Sequence, residues 1–204
     1  MTIRYHRGDL PDGMTFSGAI AVDTETMGLN PNRDRLCLVQ IAAGDGSADL
    51  VQIRPGQPQP ANLVRVLRDR NVVKIFHYAR FDLGVLFKTF GFMPEPVWCT
   101  KIASKLVRTY TDRHGLKDLT REVLGVEISK QQQSSDWGAA DLTDAQLAYA
   151  ASDVQHLHAL KAKLEALLAR EGRTAYAEAC FAFLPIRAAL DLAGFEGEDI
   201  FSHS

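Results

Sequence analysis

Apolar and polar positions follow short, strand-like patterns in the first half of the chain and helical patterns in the second. The run AIAVD at 19–23 is apolar until it ends in an acid. Strand-like patterns at 35–42 and 48–53 flank a Gly/Asp/Ser turn at 44–47. Few residues link these three segments, which predicts an antiparallel meander. Over 62–69 the apolar positions are Leu63, Val64, Val66 and Leu67, the spacing of a short helix face. An apolar strand is expected at 72–76, then a helix over 81–90 closed by Gly91. Beyond Pro94 and Pro96 come a short strand at 97–99 and a helix over 102–107.

The second half reads as mostly helical. A helix over 116–124 ends at Gly125, and a polar stretch over 129–140 with three consecutive glutamines reads as a loop. Thr143 followed by Gln146 is a capping-box signature that opens a long helix to about residue 170. A further helix is expected over 173–192, kinked or split by Pro185. No internal repeat or low-complexity linker interrupts the chain, so residues 1–204 are expected to form one domain. A mixed sheet in the first half with helices around it predicts a three-layer α/β architecture. Ligands of such folds gather beyond the strand ends, and Asp23 and Glu25 stand at the end of the first predicted strand.

Composition narrows this picture. A length of 204 residues is enough to bury a sizeable core, and 46% apolar with 24% charged residues is the balance of an ordinary globular domain. No apolar run approaches the ~20 residues a membrane span needs, so no membrane association is expected. The N-terminus MTIRYHRGDLPDG lacks the apolar stretch of a secretory leader. Cys37, Cys99 and Cys180 show no metal-ligand spacing and fit a reducing, cytoplasmic setting. A net charge of −2 argues against gripping long nucleic acid on a broad basic surface. It leaves open a small nucleotide held by metals and a few placed cations.

Three patterns carry chemistry. In Val22-Asp23-Thr24-Glu25-Thr26, the carboxylates at i and i+2 of a strand share one face. Two like charges held together raise each other's pKa unless something compensates, and a divalent cation does so well. A D-x-E alone is common among 25 acidic residues and equally describes an acidic strand end. In His77-Tyr78-Ala79-Arg80-Phe81-Asp82, the aspartate falls in the first turn of a helix, where the macrodipole favours an acid in any case. Tyr149 and Asp153 are i and i+4 on the long helix, sharing a face with Leu157 and Leu160. An aspartate on such a face needs a partner, because an unpaired buried carboxylate is costly.

In this order, AVDTET, HYARFDL and YAASDV make the chain resemble the DEDD exonuclease superfamily, ribonuclease D branch. The segments GLKDL (115–119) and SDW (135–137) resemble the same branch. A tyrosine four residues before the last aspartate resembles the DEDDy subtype; the sister subtype has a histidine five before, where this chain has Ala148. Further segments, among them DRLCLVQ (34–40), RTYTDRHGLK (108–117), SKQQQSSDW (129–137) and the ending DIFSHS (199–204), are similar to the short nanoRNase C group. Two departures separate the chain from ordinary ribonuclease D. Gly138-Ala139-Ala140 follows SDW in place of Arg-Pro-Leu, and no helical nucleic-acid-binding domains are expected after the catalytic one.

The resemblance implies a ribonuclease H-like three-layer exonuclease fold with a mixed central sheet. It implies a catalytic and metal-binding set of Asp23, Glu25, Asp82 and Asp153 for two Mg²⁺ or Mn²⁺ ions, with Tyr149 orienting the attacking water. Substrate contacts are expected from Thr24, Leu29, His77 and Arg113. Leu29 has two readings: a wedge between terminal bases, by resemblance, or a loop leucine folded onto the core. Lys101, Lys105, Arg108, Arg113, His114 and Lys117 form a basic cluster. For most of them a solvated face is expected, while some, Arg113 foremost, would cap a 5′-phosphate. The tail at about 193–204, with Phe195, Ile200 and Phe201, is expected to fold back or enter a subunit interface, and the resemblance implies a homo-octamer. The function so expected is 3′→5′ hydrolysis of short RNA, dinucleotides especially. Longer RNA or DNA is the nearer rival, and a catalytically silent nucleic-acid-binding module the more distant one.

Overall fold

The computed structural model describes residues 2–129 and 131–203; Lys130, within the 129–137 segment, lies outside them together with the two terminal residues. A six-stranded sheet has the order β1-β4-β3-β2-β5-β6. Its strands are β1 (Thr2–Arg7), β2 (Ala19–Thr26), β3 (Leu36–Ala42), β4 (Ser47–Gln52), β5 (Val73–Phe76) and β6 (Val97–Cys99). The expected meander is present: β2 pairs antiparallel with β3, and β3 with β4. β5 and β6 join parallel beyond β2, and β1 pairs parallel with β4 at the opposite edge. Every residue of β3 and β4 is buried, as strands covered on both faces should be.

β1 was not expected from the sequence, although Ile3 and Tyr5 alternate with polar residues and pack against the core. Its strand pairing comes from partners far along the chain. Arg4 donates twice to the buried Asp49 of β4, at 2.8 and 2.7 Å, and His6 lies 2.8 Å from the same carboxylate. Charged side chains on an edge strand also discourage pairing with other chains.

The helices are α1 (Ala61–Arg68), α2 (Ala79–Phe90), α3 (Thr100–Val107), α4 (Leu116–Leu124), α5 (Asp144–Gln155), α6 (Leu157–Arg170) and α7 (Thr174–Leu190). Gly91, at φ 78, ends α2 by donating to the Phe87 carbonyl at 2.8 Å. The capping box forms as the sequence reads: the Gln146 N–H donates to Thr143 Oγ1 at 3.3 Å, and Gln146 Oε1 accepts from the Thr143 N–H at 2.9 Å.

Two helix expectations need correcting. The helix from Thr143 to about 170 is two, interrupted at His156. There the chain changes neighbours: α5 packs across β1–β4, whereas α6 packs on β5, α3 and α4. Pro185 does not split the last helix: it sits buried inside α7, which runs on through it to Leu190. A proline there forfeits a hydrogen bond to the preceding turn, and the packed neighbours hold the helix through it. A short π-helical turn over Asp191–Phe195 follows.

Alternation along β2 fixes the layers. Asp23 and Glu25 face α5, while Thr24 faces α2, so the two helices lie on opposite sides of the sheet. Among the described residues no helix is long and apolar enough to cross a membrane.

Candidate active site

β2 carries Asp23 and Glu25 to the end of the sheet, where the register with β3 shifts between Glu25 and Thr26. Such irregularities re-aim side chains at strand ends. α5 presents Asp153 to the same place. One carboxylate oxygen from each of Asp23, Glu25 and Asp153 lies within 4.8 Å of the others. Oxygens bound to one hard cation at ~2.0–2.6 Å are at most about 4–5 Å apart, so the cluster has the chemistry and span of a divalent-cation site.

Asp82 enters from the other face of the sheet. It is buried in the first turn of α2, and its Oδ1 accepts a 2.7 Å bond from the Thr24 hydroxyl. Sequence spacing could not place Asp82, and the sheet does: its charge is the largest carboxylate influence on Asp23. The Thr24 side chain is thereby turned to the α2 face of the sheet, towards Asp82.

The electrostatics follow from crowding. Burial, then Asp82, Asp153 and Glu25, holds the Asp23 carboxyl well above its ordinary range. Burial with Asp153 and Asp82 pushes Glu25 up to about 9. Burial raises Asp82 to about 7, opposed by the Thr24 hydroxyl and by backbone N–H groups. Tyr149 shifts upward as well, through burial and the charges of Asp153, Glu25 and Asp23. Its ring tilts against the buried Trp137, with centroids 6.0 Å apart at 37°.

The remaining expected contacts are divided. Leu29 is 87% exposed, so it is not folded onto the core. It borders a cavity of about 340 Å³ with Tyr78, Arg80 and Asp191. His77 follows β5 and lies with Nδ1 2.9 Å from Thr100 Oγ1; that hydroxyl donates to the Phe76 carbonyl and therefore accepts from the imidazole. Arg113 is exposed on the loop between α3 and α4, where its backbone N–H donates to Thr111 Oγ1 and its carbonyl accepts from Arg108.

Within the basic cluster, a solvated face does not describe Arg108 and His114. Both are buried: Arg108 bonds Ser104, the Arg113 carbonyl and Glu122, and His114 bonds Ser104 at 2.9 Å.

Sequence reasoning missed Gln40. It is the cross-strand neighbour of Asp23, wholly buried, and its amide donates to Asp23 Oδ2 at 3.4 Å. One polar side chain inside the apolar strand LCLVQIA was the available signal. It also missed Trp137 as the support of Tyr149, since its segment stood out only by resemblance.

Fold and site together define a ribonuclease H-like nuclease: three layers, a mixed sheet, and carboxylates converging where β2 ends between α5 and α2. The 3′-5′ exonuclease family matches residues 12–169, and the chain belongs to that family, in its DEDD, ribonuclease D-like branch. Ribonuclease D of Gluconacetobacter diazotrophicus is 38% identical over 154 residues, covering 76% of this chain and 39% of that protein. The chain therefore spans well under half the length of that relative. Among solved structures, Brucella melitensis NrnC with bound Mg²⁺ is 61% identical with a TM-score of 0.95. The same nuclease bound to pGG is 62% identical with a TM-score of 0.96. Each comparison covers 100% of both chains.

Proposed function

We propose that this protein is a metal-dependent 3′→5′ exoribonuclease that hydrolyses short oligoribonucleotides, dinucleotides especially, to 5′-mononucleotides. The observation that carries the reading is the convergence of Asp23, Glu25 and Asp153 within 4.8 Å, with Asp82 behind them and Tyr149 beside them. Binding of pGG by a nuclease that matches the chain over its full length supports the short substrate.

In this reading Asp23, Glu25 and Asp153 would hold one Mg²⁺ or Mn²⁺, and Asp23 with Asp82 would help to hold a second. When bound, the two ions acidify the attacking water and stabilise the charge on the departing 3′-oxygen. Gln40 and Thr24 fix the carboxylates from behind, so the ligand oxygens keep their directions. The Tyr149 hydroxyl positions the water by hydrogen bond. A phenol with pKa ~10 is protonated at neutral pH, and its carboxylate neighbours shift it further from acting as a base.

Leu29 projects where it meets the substrate bases, His77 lies near the terminal sugar, and Arg113 caps the 5′-phosphate. Residues 1–204 act as one catalytic domain. Its three free cysteines suit the cytoplasm. Exposed Ile186, Phe195, Ile200 and Phe201 near the chain end support a homo-oligomer, an octamer by resemblance; a monomer by light scattering at micromolar concentration contradicts it.

The ribonuclease D relatives favour one rival, an exonuclease on longer RNA or DNA through the same site. A time course on 5′-labelled 2-mer and longer substrates separates the two. A rate at least ~tenfold higher on the 2-mer, about 1.4 kcal/mol in barrier, is expected; equal rates favour the rival. Chelator-insensitive hydrolysis overturns the metal-dependent reading altogether.

A further inference from the structure

An acid of the site sits in the first turn of α2, and that turn has no side-chain cap. The Tyr78 side chain makes no capping bond to it, and the Tyr78 backbone is left-handed, φ 69 and ψ 42. A helix start leaves four N–H groups without intrahelical partners, so its place depends on what else grips it. Here Arg80 does so. Its guanidinium forks onto Asp191, Nε to Oδ2 and Nη2 to Oδ1 at 2.6 Å, and Nη2 also donates to the Glu196 carbonyl at 2.7 Å. Asp82 follows two residues later.

A lone ion pair in open water holds little, but this one is shielded, with side chains 30% and 17% exposed. A two-pronged arginine–carboxylate pair fixes direction as well as distance. Asp191 is itself anchored: Arg187, one turn back along α7, reaches its Oδ1 at 2.9 Å. α7 in turn packs along α2. The same segment touches the β2–β3 loop, where Asn32 Nδ2 donates to the Leu192 carbonyl at 3.4 Å. The family's match ends at residue 169, so Arg80 and Asp82 lie inside it and Asp191 beyond it. An arginine of the family's core thus finds its partner in a segment outside that core.

We propose that Asp191 is a positioning residue of the active site: through Arg80 it sets where the first turn of α2 lies, and with it the Asp82 carboxylate. The proposal rests on the exonuclease reading above and makes the segment after α7 part of the catalytic unit. Asp82 is then aimed from two sides, by the Thr24 hydroxyl on β2 and by the backbone that Arg80 anchors. Asp191 acts without touching the reacting atoms. A small slip of the turn is enough, because misplacing a catalytic group by ~1 Å costs up to ~10²-fold in rate.

The test uses the full chain. Asp191→Asn keeps the size of the side chain and removes the charge that the two arginines share. Expected with a dinucleotide is a ~tenfold lower kcat with KM within ~twofold, the mark of an effect on chemistry rather than binding. When chelator-treated protein is titrated with Mn²⁺, one binding step should weaken ~tenfold and the other hold, as loss of a ligand's supporting partner does. Arg80→Lys keeps the charge but cannot fork, so it should reproduce both effects. The double variant should lose no more than either single one. Arg187→Gln frees the tail carbonyls and leaves the fork; it should lower Tm and leave kcat and both Mn²⁺ steps unchanged. An equal fall in kcat for Arg187→Gln overturns the proposal, because it traces the loss to the seating of the tail. Unchanged kcat and Mn²⁺ binding in Asp191→Asn, or a changed size by light scattering, overturns it too. If Asp191→Asn fails to fold, Arg80→Lys carries the same comparison from the α2 side. If the parent neither binds Mn²⁺ nor hydrolyses dinucleotides, the exonuclease reading falls. If it does both and the variants match it, only the positioning role falls.

Discussion

At the scale of single residues, the site is a set of charges that the metal-free fold holds against their preference. Glu25 and Asp82 ordinarily titrate near 4.5 and 3.8, and in the fold they are raised to about 9 and about 7. Asp153→Asn removes one of the converging charges. It should abolish metal-dependent hydrolysis, and undiminished activity in that variant would sink the assignment. The same change eases repulsion, so in chelator at pH 8 the variant should melt above the parent, by ~2–4 °C per kcal/mol relieved. A variant melting below the parent would mean that Asp153 is held by structural bonds rather than opposed by its neighbours.

Gly28 makes a different residue-level case. A Cβ there would sit 2.3 Å from Asp34 Oδ2, and that carboxylate oxygen already accepts the Asn30 N–H at 3.0 Å. Gly28→Ala must displace Asp34 and disturb the loop that projects Leu29. Overpacking of this kind costs ~1–3 kcal/mol. A several-fold rise in KM for a dinucleotide with little change in kcat is expected; an unchanged KM would dissociate Leu29 from substrate binding. Neither the Gly28 contact nor the Gln40 bond was legible in sequence, since both depend on which side chain the fold brings up.

Elements were legible wherever the local pattern and the packing agree. The meander, the glycine stops at Gly91 and Gly125, and the Thr143 cap all formed as read. Thr143→Ala should cost ~1 kcal/mol, which is ~2–4 °C in Tm for a domain of this size. The cap lies a full turn before Tyr149, so kcat should hold. A large fall in kcat would instead mean that the start of α5 sets the aim of Tyr149 and Asp153. Patterns misled at β1, His156 and Pro185. β1 offers only Ile3 and Tyr5 as alternating apolar positions, and Arg4 and His6 tie it to Asp49. α5 and α6 share one helical period but serve different parts of the body. Pro185 sits in a buried stretch of α7, where packing overrides a local breaking signal.

Across the whole molecule, stability, protonation and metal are linked. Between the ordinary carboxylate range and the raised values of Glu25 and Asp82, the metal-free native state binds more protons than the unfolded chain. Stability from these groups is fully present below about pH 4 and is lost as pH rises through about 7 and about 9. A bound divalent cation takes the place of those protons. The rise in Tm on adding Mn²⁺ to chelator-treated protein should therefore grow from pH 5 to pH 8. Taking the difference cancels groups remote from the site, such as the buried Lys74, whose ammonium falls to about 8 and acts in the opposite direction at higher pH. A Tm increment that shrinks over that range would contradict a carboxylate site. The chain end is also a property of the whole. Arg80 bonds Asp191 and the Glu196 carbonyl, and Arg187 bonds the Phe195, Glu196 and Glu198 carbonyls, which folds the tail back against α2 and α7.

By itself the sequence determined what local chemistry can encode. Strand alternation puts Asp23 and Glu25 on one face, helical spacing puts Tyr149 and Asp153 on another, and caps and glycines punctuate the elements between. These are short-range facts, fixed by bond geometry and side-chain type. Only the tertiary structure decided that the two faces meet, because a sheet edge, a helix axis and their crossing are set by packing over the whole core. The same holds for Asp82, reached through Thr24 from the opposite side of the sheet, and for the left-handed backbone of Tyr78. Contacts between residues far apart in the chain have no local period, so no reading of one segment at a time could contain them.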